Sequence, residues 1–90
     1  MRRRPEEFAD RELVLLYIAK RLSEARELEA VLTAAGLDYV VVADRYLGGV
    51  ILRRERVGAF FYVLPESESA AREAMQRHGF RPFSDPFAPA

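Results

Sequence analysis

Cysteine, tryptophan and asparagine are absent from this 90-residue chain, and histidine occurs once. Without cysteine there is no disulfide framework, thiol nucleophile, zinc–thiolate site or iron–sulfur cluster. The lack fits a reducing cytoplasm, the expected location. An excess of one charge is missing too, since fourteen Lys and Arg balance fourteen Asp and Glu. No global field therefore draws the chain to nucleic acid or to an anionic membrane, and neither is an expected partner. Long hydrophobic runs are equally scarce. The basic start "MRRRPEEFADRELVLLYIAKR" sets Glu6, Glu7, Asp10 and Glu12 between its arginines and its apolar stretch. That stretch ends at Lys20-Arg21 with no small-residue cleavage site beyond, so no signal peptide is expected. Nothing approaches the length of a membrane span.

What is present is apolar. Half of the residues are hydrophobic, too many for a disordered chain. A domain of this size buries only about 60–65% of its unfolded surface, so association with another copy would help it. "LVLLYI" (Leu13–Ile18) is a short continuous apolar run with branched and aromatic members, which reads as an interior strand. In "RLSEARELEAVLTAAGL", Leu22, Ala25, Leu28, Val31, Leu32 and Ala35 recur at helical spacing. Gly36 ends that helix in a left-handed conformation, with Leu37 as the hydrophobic residue just beyond. "DYVVVA" (Asp38–Ala43) is a second strand, and "VGAFFYVL" is the most strand-like run in the chain. Pro65 stops it, and Ser67 is a candidate N-cap for a helix over "ESAAREAMQRH". Gly79-Phe80 repeats the Gly36-Leu37 ending.

The expected organisation is a mobile segment over 1–12, one domain over 13–83 and a proline-rich tail over 84–90. The prolines of "FRPFSDPFAPA" allow at most a very short last strand. The order strand, helix, strand, strand, helix predicts an α+β ferredoxin-like sandwich, an antiparallel sheet with both helices on one face. Along the first strand Leu13, Leu15 and Tyr17 alternate with Val14, Leu16 and Ile18. Along the third, Phe60, Tyr62 and Leu64 alternate with Ala59, Phe61 and Val63. Both sides of each strand are thus apolar, whereas a sheet with one wet face alternates apolar and polar residues. Two helices cover one face, so the other needs a cover of its own. Leu13, Leu15, Tyr17, Phe60 and Tyr62 are the candidate oligomer face, with a homodimer packed sheet against sheet expected ahead of a small ring. The alternative cover is Phe80, Phe83 and Phe87 of the tail, whose packing the prolines restrict.

Between the last two strands stands "YLGGVILRRERVG". A phosphate-cradling loop needs a helix N-terminus after it and a Lys-Ser or Lys-Thr pair, and neither follows Gly48-Gly49. These glycines instead suit the positive φ of a turn, bulge or bend. Either they form the main turn, or they bend a long strand that turns at "RRER". Both versions give a long excursion with a basic tip, and Arg53, Arg54 and Arg56 are candidate partner- or anion-binding residues. Lys20 and Arg21, at the junction of strand and helix, are a second such pair, able to act with helix N–H groups. The competing reading is a helix that starts at Ser23 behind two solvated cations. His78 suits a helix C-terminus as a cation, and a single histidine is a poor metal signal. Glu66 and Glu68 read as ordinary first-turn acids, and Ser67 and Ser69 lack the pattern of an activated nucleophile. No catalytic residue, metal ligand or cofactor is expected.

With "LLYIA", "SEARELEAVLTAAGLDYVVV" and "VLPESESAAREAM" in order, residues from Leu13 to Phe80 resemble a family of short bacterial PII-like domains described as signal-transducing proteins. Arg21-Leu22 stands where members carry an Asp-Pro or similar helix cap. The resemblance implies a ferredoxin-type core and a regulatory, non-catalytic role with a protein or small-molecule effector. It also makes Asp44–Arg56 the counterpart of the partner-contacting loop between strands two and three. No nucleotide-binding motif of the true PII proteins is visible, so ATP and 2-oxoglutarate are not carried over.

Two other readings compete. RNA-recognition motifs share the element order and stack bases on strand aromatics. "LYIAKRL" resembles their first motif, with Tyr17 at the aromatic position and Lys20 in place of asparagine. "RVGAFFYV" matches the second at Arg56, Ala59 and Phe60, while Gly58 and Val63 replace aromatics. The other reading is a small dimeric α+β barrel enzyme of the heme-degrading or monooxygenase-like kind. Such sites draw on a histidine, asparagine or tryptophan inside the barrel, and the single histidine here falls outside the strands.

Overall fold

Local sequence ends both helices. The structure, a computed structural model, describes residues 1–48 and 54–81 and, at 46–48, 54 and 55, the backbone alone. Helix α1 spans Leu22–Ala34 and helix α2 spans Glu68–Arg77. Beyond α1, Gly36 takes φ 73°, and beyond α2, Gly79 takes φ 82°. The N–H of Leu37 reaches the Leu32 carbonyl at 3.1 Å and that of Gly36 reaches Thr33 at 3.0 Å. Phe80 to Met75 at 2.9 Å and Gly79 to Gln76 at 3.2 Å repeat this paired closure, which satisfies carbonyls the helix leaves open. A Cβ built at Gly36 meets nothing within 4 Å. Its backbone angle alone therefore decides a substitution, and Gly36→Ala should cost about 1–2 kcal/mol, read as a lower urea midpoint at unchanged slope.

The strands are β1 (Arg2–Arg3), β2 (Val14–Ala19), β3 (Tyr39–Gly48) and β4 (Arg54–Val63), with 3-10 turns at Pro5–Phe8 and Pro65–Ser67. They form one sheet in the order β1-β3-β4-β2. β4 runs antiparallel to β2 and to β3, and β1 runs parallel to β3. Among the described residues the fold is therefore a small α+β arrangement of a mixed four-stranded sheet and two α-helices, where an antiparallel sheet was expected. The parallel strand comes from the N-terminal residues read as mobile. Two arginines show no apolar period, and they hold their place by backbone pairing and charge instead. The Tyr39 N–H donates to the Met1 carbonyl at 3.2 Å. Arg3 lies 3.2 Å from Asp38, and Arg2 lies 3.6 Å from Glu29. Farther on, Arg11 meets Glu66 at 2.7 Å, and this hydrogen bond holds the Glu66 carboxyl below its ordinary pKa.

The first apolar strand, read as interior, lies at the sheet edge among the described residues. The short last strand, with Phe83 and Phe87, falls outside the described residues.

Leu16, Leu28, Leu32, Phe61, Ala71 and Met75 form the fully buried centre between the helices and the sheet. Tyr39, 3% exposed, joins it and lies against the Phe61 ring at 6.0 Å. Its hydroxyl is 3.1 Å from the Thr33 hydroxyl. Burial first, and then Glu29, push the Tyr39 phenol above its ordinary 10.0, against the Thr33 hydrogen bond. Above that pH the unfolded chain loses its proton while the folded chain still holds it. Stability should thus fall as pH rises, until the folded phenol also ionises. Denaturant unfolding on either side of that pH should show a shallower alkaline loss in Tyr39→Phe than in the parent chain.

Candidate functional site

Ladder register decides which side chains meet. On β2 the register slips between Leu15 and Tyr17, so Leu16 is the extra residue of a bulge. Paired residues project to the same side of a sheet. One row is therefore Tyr17–Phe61–Val41 and the next is Ala19–Ala59–Ala43. Phe61 and Ala19 belong to the buried core, so both rows face the helices. The opposite face carries Leu15–Tyr62–Val40 and Ile18–Phe60–Val42.

Of the residues expected to form an oligomer face, the structure brings together Leu15, Phe60 and Tyr62. Tyr17 is placed on the helix side, where its ring meets Phe80 edge-on at 5.5 Å. Burial, followed by Glu24, raises the Tyr17 phenol. Leu13 precedes β2 and is half-buried. Ile18 and Val42 join the far face: the bulge that turns Ile18 leaves no local mark inside a continuous apolar run, and the unbroken valines 40–42 do not by themselves show which face each takes. The same bulge takes Tyr17 away from any base-stacking platform on that face. Leu15, Ile18, Val42, Phe60 and Tyr62 are all half-buried. Val40 is 1% exposed yet stands outside the core cluster. We attribute its cover to the N-terminal segment, whose Pro5–Phe8 turn contacts β3.

The β3–β4 ladder runs on past the end of β2. Its last five pairs, from Asp44↔Gly58 to Gly48↔Arg54, have no β2 residue beside them. They make a two-stranded ribbon roughly 15 Å long at strand spacing. Arg54 pairs with Gly48 and Arg56 with Tyr46, so the last three residues of "RRER" are ladder and not turn. Gly48 is likewise the last ladder residue of β3. Gly49 and Arg53 lie outside the described residues. The expected Asp38–Ala43 strand is thus longer at its far end, because cross-strand pairing carries polar residues that no apolar pattern reveals.

Edge chemistry limits what can add to β3. The Tyr39 N–H points to β1, and Arg45 shares its parity along the strand. The Arg45 N–H is accepted at 2.8 Å by the carboxylate of its own neighbour, Asp44. That contact blunts an edge which could otherwise recruit a foreign strand.

Lys20 and Arg21 lie at the same end of the molecule as the ribbon. Arg21 is the N-cap of α1, and no side chain caps the helix there. The helix starts one residue earlier than the competing reading placed it, at Leu22. Glu24 reaches back to accept the Lys20 N–H at 3.0 Å. A surface cleft of about 350 Å³ between the start of α1 and the end of α2 is lined by both charges, among them Arg21, Glu24 and Glu27, and by His78. His78 is the C-cap of α2. Ser67 occupies the N-cap of α2 without a capping hydrogen bond from its side chain. Among the described residues no cluster of three His, Asp or Glu side chains is placed to hold a metal, and no helix is long and apolar enough to cross a membrane.

Comparison with known proteins finds no matching family model, no matching curated protein and no matching solved structure.

Proposed function

We propose that this chain is a non-catalytic interaction domain of the ferredoxin-like, PII-like kind, which pairs with a second copy through its open sheet face and presents the ribbon to an effector. The observation that carries the reading is the far face, where Leu15, Ile18, Val42, Phe60 and Tyr62 stand half-buried beside the covered Val40, with both helices on the other side. A second copy is the occupant that best suits it. The chain has no net charge to repel its own kind, and the Asp44 contact disfavours pairing edge to edge. The ferredoxin-like part rests on β2 and β3 running the same way with β4 antiparallel between them, and on both helices sharing one core.

The ribbon supports the second half of the reading. A two-stranded ribbon alone is marginally stable in water, so contact with an effector would order it. Sedimentation over a concentration series should give twice the chain mass, and a single-chain mass throughout would sink the dimer. Replacing Arg53, Arg54 and Arg56 with serine should leave thermal unfolding within about 0.5 kcal/mol of the parent. The same change should remove capture of a partner that the parent chain retains. Unchanged capture would refute the role given to the ribbon.

A further inference from the structure

The helix-side surface at the root of the ribbon holds a hollow that the dimer reading does not use. Its volume is about 240 Å³. Its origin is legible in the register. Under the helices the row Tyr17–Phe61–Val41 fills the space, but the neighbouring row toward the ribbon is Ala19–Ala59–Ala43, three methyl groups. The first turn of α1, which begins at Leu22, lines the hollow through Leu22 and Ala25, and along the row Ala19 is buried, Ala59 half-buried and Ala43 exposed. Leu22 and Val57 flank the hollow at 68% and 66% exposure, two apolar side chains left wet. Lys20 and Arg21 also line it, and among the described residues no carboxylate does. Asp44, opposite Gly58 in the ladder, alternates to the other face.

We propose that this hollow is a socket for one large apolar side chain carried on an acidic peptide segment of a partner protein. The volume lies below the roughly 300–1,000 Å³ of pockets that enclose small molecules, so it suits a single side chain. Apolar walls under a cationic rim match an anchor residue flanked by carboxylates, with the charges setting orientation and choice of partner. The inference rests on the ribbon end being the contact surface, but it concerns different residues from the arginine tip.

The test uses the full chain with labelled alanine methyl groups and a short synthetic peptide of Glu, Ser and Gly bearing one central Leu. Binding should move the Ala43 and Ala59 methyl signals. Changing the peptide Leu to Ser should weaken binding about tenfold or more, and changing its Glu residues to Lys should abolish it. Ala43 is exposed, so Ala43→Leu should fold normally, plug the hollow and block the peptide. Arg54→Ser with Arg56→Ser should leave the methyl shifts in place. Loss of those shifts in the doubly substituted chain while Ala43→Leu still binds would assign the peptide to the ribbon tip and overturn the socket. Equal binding of the Leu and Ser peptides, or of the Glu and Lys peptides, would overturn it too, as would an absence of shifts in the folded chain.

Discussion

Phe61→Ala should cost about 3–5 kcal/mol of folding stability. Phe61 is fully buried, packs against the Tyr39 ring and sits in the cluster that joins both helices to the sheet. Truncation leaves a cavity that rigid neighbours on three strands and two helices close only in part. A 90-residue domain has on the order of 5–13 kcal/mol in total, so the variant should be largely destabilised and, at the low end of that range, unfolded at ambient temperature. Urea unfolding of Phe61→Leu, which retains most of the volume, provides a measurable intermediate. A loss below about 1 kcal/mol for the alanine variant would mean that the two helices do not close on this ring. The adjacent Phe60→Ala should behave differently. Its ring lies on the other face, so its effect should appear mainly in assembly.

Phe60→Ser combined with Tyr62→Ser should convert the proposed dimer into single chains. Each ring occurs twice across a two-fold interface, once from either copy. Central aromatic anchors cost about 2 kcal/mol or more when truncated. Four such losses weaken association by roughly 10³-fold or more, even if half of the effect is offset by the partial burial these rings already have. Sedimentation or light scattering should then show half the parent mass, with far-ultraviolet dichroism unchanged. The control is Arg26→Ser, an exposed residue on α1, which should leave the mass alone. A parent mass retained by the double variant would place the contact elsewhere or remove it.

The far face also shows how far alternation along a strand can be read. Leu15, Phe60 and Tyr62 group correctly by alternation, because each lies in a regular stretch of its own strand. Tyr17 does not, because Leu16 is an extra residue in the ladder and displaces the later residues of β2 by one position. A bulge is a property of two strands, and a run such as "LVLLYI" reads the same with or without one. The hollow has the same origin. Ala19, Ala43 and Ala59 lie far apart in the chain and become a row only when three strands align.

What the sequence settled by itself was local. Gly36 and Gly79 set the helix ends through backbone angles that side chains resist, and the apolar stripe of α1 set its buried side. Those outcomes depend on residues within one or two turns of each other. Tertiary structure decided the rest: the parallel docking of Arg2–Arg3, the extension of β3 and β4 into a ribbon, and the side to which Tyr17 turns. Each is governed by hydrogen bonds or ion pairs between distant segments, which carry no periodic trace in the chain.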